Sequence, residues 1–201
     1  MAYVSTQGRY PPYGMSKFQK VIKVFSYIAD RWKTTDRIEK LYFNDNWIDC
    51  ISECNKAINA GKEDFFYYYY LGLSQFHLNF IDESTENLKL ALSTSATQKM
   101  NDAIKKYRNY ARYQIAVNSR KSRNYEQAIS QLENSIREDP SYLNFYHLKA
   151  NIYEDLGKTK LAIEAVSNGL AVEPKNKELH ELQKHLVYLY SLEQSEKRNG
   201  G

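Results

Sequence analysis

The apolar positions of the chain fall into long stripes at helical spacing, separated by short polar breaks. Phe18, Val21, Ile22, Phe25, Ile28, Trp32, Ile38 and Tyr42 form one stripe that no Pro or Gly interrupts. Spacing of three and four residues predicts helix. Either one long helix spans about 15–43, or two helices meet at Thr34-Thr35, whose β-branched side chains suit a break without requiring one. Trp47, Cys50, Cys54 and Ala57 mark the next helix, and the one after it opens with FFYYYY at 65–70, six aromatic residues in a row. A helix buries about half of such a run on one face, so the remaining rings need another destination.

These stripes repeat. NYEQAISQLENSIREDPS (124–141) aligns with KTKLAIEAVSNGLAVEPK (158–175), which sets Ala128 on Ala162 and Pro140 on Pro174, each 34 residues apart. FIDESTENLKLAL (80–92) aligns with NWIDCISECNKAI (46–58), again 34 apart, with Ser84 on Cys50 and Ala91 on Ala57. Between the two pairs the step from Ser84 to Ala128 is 44, so ten residues are inserted. Such a period predicts amphipathic helix pairs that bury their faces against neighbouring pairs, with small residues at the close approaches. Pro140 and Pro174 end the second helix of their pairs, because proline cannot continue one.

The pattern resembles the tetratricopeptide repeat family. Copies read Tyr68–Leu71–Gly72 with Ser84–Leu88–Ala91, Ile115–Ala116 with Ala128–Leu132–Pro140, and Tyr146–Ala150–Tyr153 with Ala162–Val166–Pro174. The earliest copy keeps a clear second helix but places Ile38 where a small residue belongs. The resemblance implies an all-α solenoid of about 3.5–4 helix pairs, with repeats near 31–64, 65–98, 109–142 and 143–176. KELHELQKHLVYLYSLEQ (177–194) supplies a capping helix through Leu179, Leu182, Leu186 and Leu189 or Tyr190. Residues 15–194 then form a single domain, between an extended Tyr/Pro segment at 1–14 and a tail at 195–201. The inserted stretch has no Pro or Gly and keeps helical spacing through Met100, Ala103, Ile104, Tyr107, Ala111 and Ile115. It extends the first helix of the third repeat backwards by nearly three turns, on the order of 15 Å.

In this family the first helices of successive repeats line a concave groove that takes extended peptides. The matching positions here are Trp32, Thr35 and Glu39, then Phe66, Tyr69, Tyr70, Leu73 and Phe76. They continue with Tyr110, Tyr113, Gln114 and Val117, and end with His147, Leu148 and Asn151. The aromatic run is thereby divided, with Tyr67, Tyr68 and Leu71 inward and Phe66, Tyr69 and Tyr70 toward the groove. A wall of Trp, Phe and Tyr suits an apolar or proline-containing segment, since rings give large contact area at low entropic cost. The competing expectation is that neighbouring helices or the chain's own segment 3–14 cover these rings. Family members that hold acidic chaperone tails use Lys, Asn and Arg on successive first helices. Here those places hold Tyr69, Leu73, Gln114, Asn144 and Leu148, or Thr35, Glu39, Tyr70, Tyr110 and Gln114 one repeat earlier, and neither set argues for a carboxylate clamp.

Charge adds a second feature. The net charge is +4, yet residues 97–123 hold Lys99, Lys105, Lys106, Arg108, Arg112, Arg120, Lys121 and Arg123 against Asp102 alone. With Tyr107, Tyr110 and Tyr113 interleaved, this composition suits RNA or another polyanion, an acidic protein surface, or plain solvation. The 42% apolar and 26% charged fractions are those of a globular protein, and no apolar run reaches the ~18 residues of a membrane span. Without a secretory pattern at the N-terminus, the default compartment is the cytosol. Cys50 and Cys54 read as small packing residues, since no further Cys or His stands near them to complete a metal site. No phosphate loop, zinc-protease motif or nucleophile elbow occurs, so no enzyme, cofactor or metal is expected. These features together predict a protein-interaction module, a scaffold or assembly subunit with protein partners. Nucleic acid stands as the alternative partner.

Overall fold

A computed structural model describes residues 17–97 and 102–199, and within them every regular element is helical. In chain order these are α1 (Lys17–Phe43), α2 (Trp47–Asn59), α3 (Phe65–His77), α4 (Ile81–Thr97), α5 (Asp102–Lys121), α6 (Tyr125–Glu138), α7 (Asn144–Asp155), α8 (Thr159–Val172) and α9 (Lys177–Asn199). The extended segment 1–14 lies outside the described residues. The chain falls into two compact units, residues 1–98 and 99–201.

The 34-residue register is written into the backbone as well as the side chains. α1, α3, α5 and α7 end at residues 43, 77, 121 and 155, and their partners begin at 47, 81, 125 and 159. Each of these turns places one residue in the left-handed region: Asp45 (φ 57°), Asn79 (φ 66°), Arg123 (φ 59°) and Gly157 (φ 64°). The next residue's N–H then reaches back over the helix end, as in Asn46 N to Leu41 O (3.0 Å), Phe80 to Gln75 (2.9 Å), Asn124 to Ser119 (2.8 Å) and Lys158 to Tyr153 (2.8 Å). This Schellman closure satisfies carbonyls that a helix end leaves unpaired.

In the first unit α1 is one continuous helix of 27 residues. The Thr34-Thr35 pair does not break it, because the Thr34 hydroxyl donates to the Asp30 carbonyl one turn back (2.8 Å) and so stays within the helical geometry. α2 buries Cys50, Cys54 and Ala57 on a single stripe. α3 starts at Asp64, whose extended backbone (φ −139°, ψ 141°) frees its carboxylate to accept from Phe66 N–H (2.9 Å). α3 and α4 pack closely because position 72 is glycine. A Cβ there would stand 2.8 Å from Leu88 Cγ and 3.0 Å from the Ser84 carbonyl.

In the second unit Ala116, Ala128, Leu132, Phe145, Leu148 and Ile152 form one core. Ala150, Ala162, Ala165, Val166, Leu179 and Leu186 form the next, the last two residues coming from the capping helix α9. The described part of the inserted stretch is helical and is shared by both neighbours, while residues 98–101, with Met100 of the expected stripe, lie outside the described residues. α4 runs on to Thr97 and α5 begins at Asp102.

Candidate partner-binding surface

The first-helix positions of the first unit divide differently from the groove expectation. Trp32 projects from α1 at 74% exposure, and Phe66 and Phe76 are half-buried on α3. Tyr69, Tyr70 and Leu73 are buried and do not form an open wall. Their position follows from how closely α1 lies on α3. The Tyr70 hydroxyl donates to Glu39 Oε1 (3.0 Å), and the Tyr42 ring centroid is 5.2 Å from that of Tyr70. Tyr69 stacks on Phe65 at 5.4 Å. Arg31 pairs with Asp64, and Lys62 reaches Asp30 (2.5 Å), which pins the same two helices at their other end. Tyr67 and Leu71 are core, as expected, while Tyr68 is only half-buried and Phe65 takes the core place instead.

In the second unit the expected positions on α5 and α7 range from buried to partly exposed. Tyr110 is 37% exposed and its ring lies 6.1 Å from that of the half-buried Tyr113. Burial first, and then Tyr110, push the Tyr113 phenol above its ordinary value. Val117 is half-buried and packs against the core below. On α7, Asn151 Nδ2 lies 3.3 Å from His147 Nδ1, so the pair presents an amide and an imidazole side by side. Gln114 departs from expectation. It is buried and donates to Asn118 Oδ1 (3.1 Å), a polar pair one turn apart within α5. Leu148 is likewise part of the core.

The tetratricopeptide repeat family model matches residues 120–186, the stretch that carries α6, α7 and α8. Solved structures with the same fold extend the likeness along the chain. A chain of the APC/C hetero-tetramer Cut9–Hcn1 superposes with a TM-score of 0.63 at 17% identity, covering 76% of this chain and 29% of its own. MamA matches with a TM-score of 0.58 at 18% identity, over 82% of this chain and 97% of its own. The C-terminal part of a repeat-containing protein from Cytophaga hutchinsonii gives a TM-score of 0.64 at 15% identity, over 78% and 58% of the two chains. Residues 120–186 match the tetratricopeptide repeat family, and the fold of such repeats extends over most of the chain. No curated protein matches its sequence, and identities this low establish the fold, not a shared partner. Against the Cut9–Hcn1 chain it spans under a third of the length.

Part of the basic stretch is neutralised within the chain. Lys105 pairs with Asp139 (3.2 Å), Arg112 with Glu138, and Arg120 holds both oxygens of Asp155 (2.6 and 2.9 Å). Asp139 itself is buried, where it also accepts from Asn109 Nδ2 (2.5 Å) and the Ser141 hydroxyl (2.6 Å). Lys106, Lys121 and Arg123 are exposed, and Arg108 is half-buried. Lys99 lies outside the described residues. Three of the eight expected contacts for a polyanion are thus ion pairs that tie α5 to α6 and α7. No cluster of three or more metal-ligating side chains occurs among the described residues, and Cys50 and Cys54 are buried free thiols. No described helix is long and apolar enough to cross a membrane.

Proposed function

We propose that this chain is a non-enzymatic interaction scaffold, an assembly subunit that holds an extended apolar or aromatic segment of a protein partner on the α5/α7 face. The observation that carries the reading is Tyr110, partly exposed beside Tyr113, with Val117, His147 and Asn151 continuing the same two helices. Rings offer contact area and the His/Asn pair offers hydrogen bonds, the combination by which grooves take main-chain peptide. The fold supports the general role, since repeat arrays of this kind present extended surfaces to partners. The pairing of Lys105, Arg112 and Arg120 within the chain weighs against the polyanion alternative.

The test is a peptide-array screen of the full chain, followed by titration of the best binder. Tyr110→Ala with Asn151→Ala should weaken it about tenfold, as loss of a ring anchor and a polar contact does. Reversing Lys106, Lys121 and Arg123 should leave it unchanged. The opposite pattern, with steep salt dependence, would assign the surface to a polyanion.

A further inference from the structure

The turn-side end of the first unit carries a surface that its repeat packing does not use. Trp47 stacks flat on His77, with ring centroids 4.0 Å apart and 6° between planes. Tyr42 lies edge-on to Trp47 (5.0 Å), and its hydroxyl is 3.3 Å from His77 Nε2. Phe43 packs edge-on to Tyr42 at 5.5 Å. Outside this stack Phe43, Ile48 and Phe80 are 69%, 71% and 51% exposed. The same two turns, residues 44–49 and 77–83, carry Asp45, Asp49, Asp82 and Glu83, all exposed, and contain no Lys or Arg.

Helix electrostatics explain part of this. Asp49, Asp82 and Glu83 stand in the first turns of α2 and α4, where carboxylates oppose the helix dipole. That does not account for three large apolar side chains left in water. The corresponding turns of the second unit, residues 122–127 and 155–161, mix signs instead, with Arg123 and Glu126 in one and Asp155, Lys158 and Lys160 in the other, and Tyr125 is half-buried.

We infer that this end of the first unit docks a partner segment in which arginine or lysine alternates with apolar residues. Guanidinium or ammonium groups sit against ring faces and are met by the four carboxylates, while the apolar residues cover Phe43 and Ile48. The surface shares no residue with the α5/α7 face, and the inference does not depend on what binds there.

The test uses the full chain carrying Trp32→Phe, which leaves Trp47 as its one tryptophan. The probes are a synthetic hexapeptide alternating arginine with leucine and its glutamate counterpart. The arginine peptide should change Trp47 emission saturably and the glutamate peptide should not. Asp45→Asn, Asp49→Asn, Asp82→Asn and Glu83→Gln together should weaken binding about tenfold and flatten its salt dependence. Phe43→Ser with Ile48→Ser, at positions too exposed to hold the fold, should weaken it about tenfold through lost apolar contact. Tyr110→Ala should leave it unchanged. The inference is overturned by no saturable response, by an equal response to the glutamate peptide, or by unchanged binding in either variant set. It is also overturned if the variants abolish self-association in sedimentation while peptide binding persists, which would make the surface an interface between copies.

Discussion

Arg120 grips Asp155 with two nearly parallel hydrogen bonds, Nε to Oδ2 and Nη2 to Oδ1, and so joins the last turn of α5 to the last turn of α7. Both side chains remain about a third exposed, which moderates the strength of the pair. A double-mutant cycle of Arg120→Ala and Asp155→Ala should give a coupling of roughly 1 kcal/mol in urea unfolding. The coupling should shrink in high salt.

Arg123 occupies the turn position that glycine fills at 157, with φ at 59°. A side chain in that region is strained, so Arg123→Gly should stabilise the chain by about 0.5–1 kcal/mol despite the added freedom of the unfolded state. Gly157→Ala should cost a similar amount by the same argument. Urea midpoints compare the two directly.

Gly72→Ala should destabilise by about 1–3 kcal/mol, because its Cβ would press on Leu88 and the Ser84 carbonyl, outweighing the helix propensity gained. In a Leu88→Ala background most of that penalty should vanish, a non-additivity that thermal unfolding can read.

Asp139 titrates low, at about 2 against an ordinary 3.8. Burial pushes it up, but hydrogen bonds from Ser141 and Asn109 and the Lys105 ammonium together outweigh that. Because the folded value is depressed, its stabilisation is fully present above about pH 4 and is lost as pH falls toward 2. The shift corresponds to roughly 2 kcal/mol. Asp139→Asn should remove that part of the acid sensitivity, seen as a flatter stability profile between pH 4 and 2.

Both thiols of the first unit are sealed. The hydrogen bond with Cys50 and burial push the Cys54 thiol well above its ordinary range. Native protein should therefore react with a thiol reagent orders of magnitude more slowly than protein in urea. Labelling rates at increasing urea should track opening of the first unit.

The repeat was legible because its marks are local: Ala128 and Ala162 at the close approaches, Pro140 and Pro174 at the ends, and helical spacing through the inserted stretch. Three of the four left-handed turn residues, Asp45, Asn79 and Gly157, are also types that favour that region. Arg123 is not, and nothing local marks it. What escaped were contacts between residues far apart in sequence. Burial of Tyr69 and Tyr70 depends on Glu39 and Tyr42 arriving from α1, whose continuity a pair of threonines left open. The basic run looked uncompensated because Glu138, Asp139 and Asp155, its partners, belong to later helices. Gln114 sat at a groove position in register yet turned to Asn118.

Two ion pairs clamp one stretch of the long helix α1. Asp30 and Arg31 meet Lys62 and Asp64 beside the start of α3, so α2 and α3 both lie alongside the segment from Asp30 to Phe43. The helix continues on the other side of that point from residue 29 back to Lys17, about 20 Å at the usual rise per residue. From Asp30 onward the backbone amides of α1 are held by those two ion pairs and by the helices beside them, so their exchange should be slow and should speed up when Lys62 and Asp64 are replaced by Ala, the clamp being read as protection of α1 and not of α3 alone.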